Sequence, residues 1–424
     1  MIWLMIFAFL FLVALGMPVA FAMGASALMY IAVEGVTLEI VAQRFLSNTQ
    51  SFAFLAVPFF ILMGNLMVEG QIAQRIINFV HASVRQLPGG LGCVSVVTSM
   101  GMAGVSGSSV ADASSVGSVL IPEMKRKGYS SSFSAAINAS SSVVGIIIPP
   151  SSTMIIIAWL ADLSVARMFL AGIIPGVLIG LSYLALTIVI SLRRGYPRGG
   201  RPTLAEFVKG ARSTFWALLL PILLIYVIVA GVATPTESAA LAAVYAFLVA
   251  SVVYRTLSFR GAVRAVKEAA YGTTVIMLIV CTSTIFSYVL IAERVPQMLS
   301  DGLLSLGLAD WSIKLALVLV LLVAGAVMDL VPNLFIFIPI FFPIATDIGM
   351  DPLHFGIVML CTLALGLFTP PIGTTLFISC HLAKIDMEEA TKDLIPYFLV
   401  GTAVVLLLMF VPGLTLLIPG LIGG

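Results

Sequence analysis

Apolar residues run through this chain in stretches too long for a soluble core, separated by short polar segments. Nine stretches reach the roughly 20 mostly apolar residues that a membrane crossing needs. They are 3 to 31, 52 to 74, 131 to 160, 165 to 193, 211 to 231, 236 to 256, 270 to 292, 353 to 382 and 393 to 422. Two further apolar segments are cut in the middle, 92 to 127 by GVSGSSVADASS and 311 to 347 by MDLVPN. Each half, about ten to seventeen residues long, is too short to cross alone. Both segments are expected to be helical hairpins that enter and leave on one side. The pattern predicts an all-α polytopic membrane protein forming a single integral membrane unit over 1 to 424.

Composition agrees with the pattern: 61% of residues are hydrophobic and 9% charged, against roughly a quarter charged in a soluble domain. A net charge of +2 gives no basic footprint for nucleic acid. The four cysteines, Cys93, Cys281, Cys361 and Cys380, lie singly in apolar runs and read as small core residues. The opening MIWLMIFAFLFLVALGMPVAFAMG lacks a basic n-region and runs on too long for a signal peptide, so it reads as a first transmembrane helix.

With nine crossings and two hairpins, Arg44, Arg167, Arg294 and Lys314 fall on one side and the other 17 of the 21 basic residues on the opposite one. That bias marks the second side as cytoplasmic and sets the N-terminus inside and the C-terminus outside, in the periplasm. It also roots the first hairpin inside and the second outside. Segments 34 to 50, 258 to 269 and 384 to 392 are too charged for lipid and read as loops or interfacial helices.

An offset of 221 residues, without a gap, pairs Gly104 with Gly325, Pro122 with Pro343, Gly128 with Gly349, Gly145 with Gly366, Pro149 with Pro370, Pro150 with Pro371 and Thr153 with Thr374. Asp112 meets Asn333 at the same offset. The clearest copies are GIIIPPSST (145 to 153) and GLFTPPIGTT (366 to 375). Each unit, 92 to 160 and 311 to 382, is therefore a hairpin followed by a helix broken at Pro-Pro. Because the hairpins enter from opposite sides, the repeats are inverted. The remaining helices, about 3 to 74, 165 to 292 and 393 to 422, read mainly as scaffold and connections.

Paired prolines remove backbone donors and bar the preceding turn from helix, so carbonyls near Ile148 and Thr369 lose their intrahelical partners. Bare carbonyls persist at membrane depth only in protein or on a ligand. The first hairpin turn adds Gly104, Gly107 and the hydroxyls of Ser106, Ser108 and Ser109. Sodium, a hard cation, suits such oxygens, and the half-helices beginning near Ser109 and Pro332 aim N-terminal amides inward at an anionic group.

These residues resemble the large membrane subunit of a tripartite ATP-independent periplasmic (TRAP) transporter, the DctM or SiaM type of the ion transporter superfamily. The resemblance rests on SGSSVADASSVGSVLIPEMKRKGY (106 to 129), GIIIPPS, GVATPTESAAL (231 to 241), MDLVPN, PIATDIGMDPLHFGIVM (343 to 359) and GLFTPPIGTTLF, and covers essentially the whole chain. It implies a sodium-driven elevator mechanism importing small carboxylates such as sialic acid or C4-dicarboxylates. It also implies two partners, a small four-helix membrane subunit and a periplasmic substrate-binding protein. No region resembles the small subunit, which is therefore expected as a separate chain. By the family pattern one sodium ion, the coupling ion and not a cofactor, lies among Ser106, Ser108, Asp112, Gly145, Ile148 and Pro150. A second lies among Gly325, Asp329, Gly366, Thr369 and Pro371, although Val327 replaces the first copy's Ser106. Ser109, Thr153, Asn333, Thr374, Glu237 and Asn65 are candidates for the substrate path.

Each of these has a plainer reading. A charge inside an apolar segment costs at least about 2.5 kcal/mol and marks an ion or substrate path, yet Asp112 and Asp329 also suit helix caps. Glu237 in ATPTE caps equally well, and Asn65 suits a hydrogen bond between helices. His81, His354 and His381 lack an acidic partner at ligand spacing. The stretch Gly104-Val105-Ser106-Gly107 also spells the GxSG motif of intramembrane serine proteases, but the candidate base His381 ends its span far from a mid-membrane turn. The sequence therefore reads as a transporter and not an enzyme, with a stand-alone sodium/dicarboxylate carrier of the same superfamily as the nearest alternative.

Overall fold

A computed structural model describes residues 1–49, 54–200, 202–305, 307 and 309–422, the side chains of 38, 46–49, 105, 106, 300, 303 and 304 excepted. The described residues are helical apart from turns and connections. The first apolar stretch is two helices, α1 (Ile2–Ala14) and α2 (Val19–Glu34), where one span was expected. Gly16, with φ +85°, and Pro18 separate them. The Phe9 ring lies 5.1 Å from Phe286, Gly24 faces Thr282, and the Tyr30 hydroxyl donates to Glu293 at 2.5 Å. Trp3 shares a groove with Leu299, beyond Glu293 in the chain. α1 therefore runs down this face and α2 returns, so α1 begins at the Glu293 end of α14.

Next come α3 (Leu38–Thr49), α4 (Ala56–Glu69) and α5 (Ile72–Val84), the last bent 67° from α4. The first repeat unit follows: α6 (Gly90–Ser106) and α7 (Ser109–Arg126) form the hairpin. The broken helix is α8 (Ser131–Ser142), the single turn α9 (Val144–Ile147) and α10 (Ser152–Leu160), with a 51° bend at the break. Four long elements connect the units: α11 (Val165–Arg194), α12 (Leu204–Val229), α13 (Pro235–Leu248) and α14 (Phe259–Ala292). Segment 258 to 269 is thus the first turns of α14, capped by Ser258 accepting from the Gly261 amide at 3.0 Å, and is no separate interfacial helix. After α15 (Val295–Ser305) comes the second unit, with α16 (Asp310–Val327) and α17 (Leu330–Asp347) as its hairpin. α18 (Pro352–Gly366) and α19 (Thr374–Ala383) are its broken helix. The last stretch, expected as one span, divides into α20 (Met387–Phe410) and α21 (Gly413–Ile422) around Pro412.

The two units pack on one another through polar contacts that continuous apolar helices would not need. Asn138 donates to the Ala113 carbonyl at 2.9 Å and to Ser379 Oγ at 2.8 Å, joining α7, α8 and α19. The Thr375 hydroxyl donates to the Ala139 carbonyl at 3.2 Å, and Lys125 Nζ to the Ala383 carbonyl at 2.6 Å. α11 and α20, grouped by sequence with scaffold and connections, pack largely on these units, and α21 packs mainly on α11. Arg194 of α11 pairs with Asp393 of α20, which also accepts from Ser132 at 2.6 Å. A second group forms around α4 and α14, with α2, α3 and α13 against them.

Candidate functional site

The turn of each hairpin falls at the same place in its repeat. Ser108 is the N-cap of α7 and Asp329 the N-cap of α17, and they are separated by the 221-residue offset. Ser108 Oγ accepts from the Ala111 amide at 3.4 Å, while Gly107 takes the positive φ of +57° that reverses the chain. Both turns open on one cavity of about 370 Å³. Its walls include Ser108 and Ser109 from the first turn, Asp329 and Val331 from the second, Pro150 and Thr153 from the first break, and Leu367 from the second. By length and composition the 18-residue α16 and α17 are long enough to cross a membrane. Their shared turn ends in this cavity instead, beside the turn of the other hairpin.

The opposite wall comes from α4, with Phe60, Gly64 and Asn65, and from α14, with Glu268, Gly272 and Ile276. Asn65 lines the cavity, and its Nδ2 donates to the Ala265 carbonyl of α14 at 3.5 Å, the hydrogen bond between helices expected as its plainer reading. Glu268 was not singled out by sequence. The available signal was its place as the one carboxylate in α14, with an apolar helix following it. Among the described residues no lysine, arginine or histidine lines the cavity. Positive potential for an anion comes instead from the N-termini of α7 and α17, whose first turns face the cavity.

Behind the first turn, Asp112 is fully buried in the first turn of α7. A Cβ built on Gly145 would come within 2.9 Å of Asp112 Oδ2 and 3.8 Å of the Ser99 carbonyl. A carboxylate, backbone carbonyls released at the break and nearby hydroxyls form a donor set that fits a hard monovalent cation. Ile148 and Ser151 are extended, Pro149–Pro150 is cis, and the buried Ser151 hydroxyl has no hydrogen-bond partner among the described residues. The side chain of Ser106 lies outside the described residues; its backbone ends α6.

The second break is more closed. Gly325 and Gly366 bring their backbones into contact, so that a Cβ on Gly366 would lie 2.2 Å from the Gly325 carbonyl carbon. Thr369 Oγ1 donates to the Leu365 carbonyl at 2.7 Å, and the Ile372 amide reaches the Ala326 carbonyl at 3.3 Å. Pro370–Pro371 is again cis, with Pro371 exposed. Asn333 does not line the cavity: its amide donates to the Ala324, Met328 and Asp329 carbonyls at 3.0–3.2 Å and ties the turn together. Thr374 begins α19, likewise outside the lining. Glu237 also lies elsewhere. Its carboxylate accepts from the Thr234 amide and hydroxyl at 2.8 Å and its own amide donates to Thr234 Oγ1 at 3.2 Å, a capping box that starts α13. The capping alternative therefore describes it.

Residues 6–414 match the family model described as tripartite ATP-independent periplasmic transporter, DctM component. The chain is 35% identical to the C4-dicarboxylate TRAP transporter large permease protein DctM of Pseudomonas aeruginosa, covering 90% of each chain. It is 34% identical to the sialic acid TRAP transporter large permease protein SiaM of Vibrio cholerae, over 99% of this chain and 98% of that one. A third relative, the isethionate TRAP transporter permease protein DctMQ of Oleidesulfovibrio alaskensis, is 35% identical over 97% of this chain but only 65% of its own length. Among solved structures, the Alcanivorax borkumensis YdaH transporter shares the fold with a TM-score of 0.64 over 89% of each chain, at 13% identity.

Proposed function

The chain belongs to the DctM component family of tripartite ATP-independent periplasmic transporters, and from that premise we propose that it is a sodium-coupled permease importing a small carboxylate. The observation that carries the reading is the single cavity on which both hairpin turns and both helix breaks converge. Two helix N-termini can hold a carboxylate there. The buried Asp112 beside Gly145, with the carbonyls freed at Ile148, can hold a cation next to it. Binding of the cation would fix the turn whose amides receive the anion, so each ligand strengthens the other's site.

In this reading the two units are inverted repeats that travel together as one body, with α11, α20 and α21 attached to them. α4 and α14 form the stationary wall against which they slide, an elevator-type motion. The protein lies in the bacterial inner membrane with its basic-rich face in the cytoplasm, and with α1 and the end of the chain on the periplasmic side. A periplasmic binding protein delivers the substrate, and a small four-helix subunit, here a separate chain, completes the permease. DctMQ extends well beyond the region matched here, room for such a subunit in the same polypeptide.

Reconstitution tests this. The purified chain, small subunit and binding protein, placed in liposomes with labelled carboxylate, are expected to accumulate substrate only when the binding protein is present. Full uptake by this chain alone would favour the stand-alone sodium/dicarboxylate carrier. Peptide cleavage lost on Ser106→Ala, with uptake absent throughout, would favour the serine protease.

A further inference from the structure

Ser151 stands where a serine ordinarily caps a helix, and it does not cap this one. It is the N-cap residue of α10, yet its hydroxyl accepts from no amide of the first turn. The side chain is fully buried, and its hydroxyl has no hydrogen-bond partner among the described residues. Burying an unpaired hydroxyl is costly, and the usual cap would have removed that cost. The backbone gives its direction. Ser151 is extended, with φ −135° and ψ 129°, so its side chain and those of its neighbours point to opposite sides. Pro150 and Ser152 line the transport cavity and Ser151 does not, so the hydroxyl faces into the protein behind the cavity wall. Asp112, also fully buried, is likewise absent from that lining.

The backbone just before Ser151 is rich in bare acceptors. Among the described residues no backbone amide donates to the carbonyls of Ile148, Pro149 or Pro150. The second unit has no counterpart to the hydroxyl: at the 221-residue offset stands Ile372, exposed, with its amide on the Ala326 carbonyl at 3.3 Å. A residue needed only to start a helix would serve both breaks alike, whereas this one is used at the first break alone.

We propose, on the sodium-coupled reading given above, that Ser151 Oγ is a ligand of the cation at the first break, beside the freed carbonyls and the Asp112 carboxylate. A hydroxyl supplies a hard oxygen without a further charge, which suits a monovalent ion already facing one carboxylate. By withholding the cap, Ser151 also leaves the amides at the start of α10 uncapped, where Ser152 and Thr153 line the cavity. The hydroxyl then serves the cation while the amides remain for the anion.

The test reads cation binding without transport. The purified full chain in detergent is melted at rising sodium chloride, with choline chloride holding the ionic strength constant. Sodium is expected to raise the melting temperature of the parent chain. Ser151→Ala should need roughly threefold to tenfold more sodium for half of that rise, while Ser151→Thr, which keeps the hydroxyl, should stay close to the parent. An unshifted sodium midpoint in Ser151→Ala would overturn the assignment, even if the variant melts lower in choline, because packing alone would then explain the serine. In uptake by the complete transporter at saturating sodium, Ser151→Ala should keep the parent's KM for the carboxylate. A raised KM with an unshifted sodium midpoint would overturn the cation as the hydroxyl's partner and give it to the anion. Should Ser151→Ala not fold, Ser151→Cys keeps the shape and exchanges the hard oxygen for a soft sulfur; the same shift is expected, and its absence would overturn the assignment equally. A parent chain that sodium neither stabilises nor drives would overturn the sodium-coupled reading itself, whereas a sodium-dependent parent with an unshifted Ser151→Ala removes Ser151 alone.

Discussion

Asp112 is fully buried, and the helix start it occupies favours its negative charge with or without a cation. Two roles, holding a cation and steadying the first turn of α7, therefore fall on one side chain, and replacing it separates them. Asp112→Asn keeps the size and removes the charge. If the carboxylate holds the coupling cation, uptake should fall roughly tenfold to a hundredfold at limiting sodium, partly restored at high sodium, with normal membrane abundance. Unchanged sodium dependence would leave only the helix-start role. The glycine pair at the second break is a packing matter, since a methyl group on Gly366 meets the Gly325 backbone at 2.2 Å. Gly366→Ala is expected to cost about 1 to 3 kcal/mol, read as a lowered melting temperature of the purified chain. Most of these positions were legible in the sequence because Gly, Pro and Asp are costly inside apolar helices. Glu268 was not, because a carboxylate near the end of a span looks like an ordinary boundary.

At the scale of elements, the hairpins and broken helices were readable because their interruptions recur at a fixed offset, and both breaks stand where Pro-Pro occurs. The ends of the chain were harder. Residues 1 to 43 contain no lysine or arginine, so the charge count that oriented every other span had nothing to act on there. The apolar length of 3 to 31 then hid the break at Gly16 and Pro18. α14 shows the opposite error: Arg260, Arg264 and Lys267 suggested a separate surface segment, but their long side chains let the helix continue without interruption into its apolar part. The fold-back of α1 is open to direct measurement. In a background with the four buried cysteines replaced, Trp3→Cys and Glu34→Cys should both react with a membrane-impermeant maleimide added to the same side. Labelling from opposite sides would restore a single crossing span.

For the whole molecule, two groups of helices line one cavity: the hairpins and broken helices with their turns and breaks, and the wall of α4 and α14. The basic-rich and basic-poor faces follow from sequence, whereas the meeting of the two turns depends on packing between residues more than 200 positions apart. On the proposed function, the oxygens at those turns and breaks bind sodium and couple it to the anion. The most direct measurement is radioactive sodium flux into proteoliposomes holding the complete transporter, with and without its carboxylate and binding protein. Sodium should enter with the substrate at a fixed ratio, and both fluxes should be lost together in Asp112→Asn. Substrate accumulating on a proton gradient alone, with no sodium entry, would contradict the account.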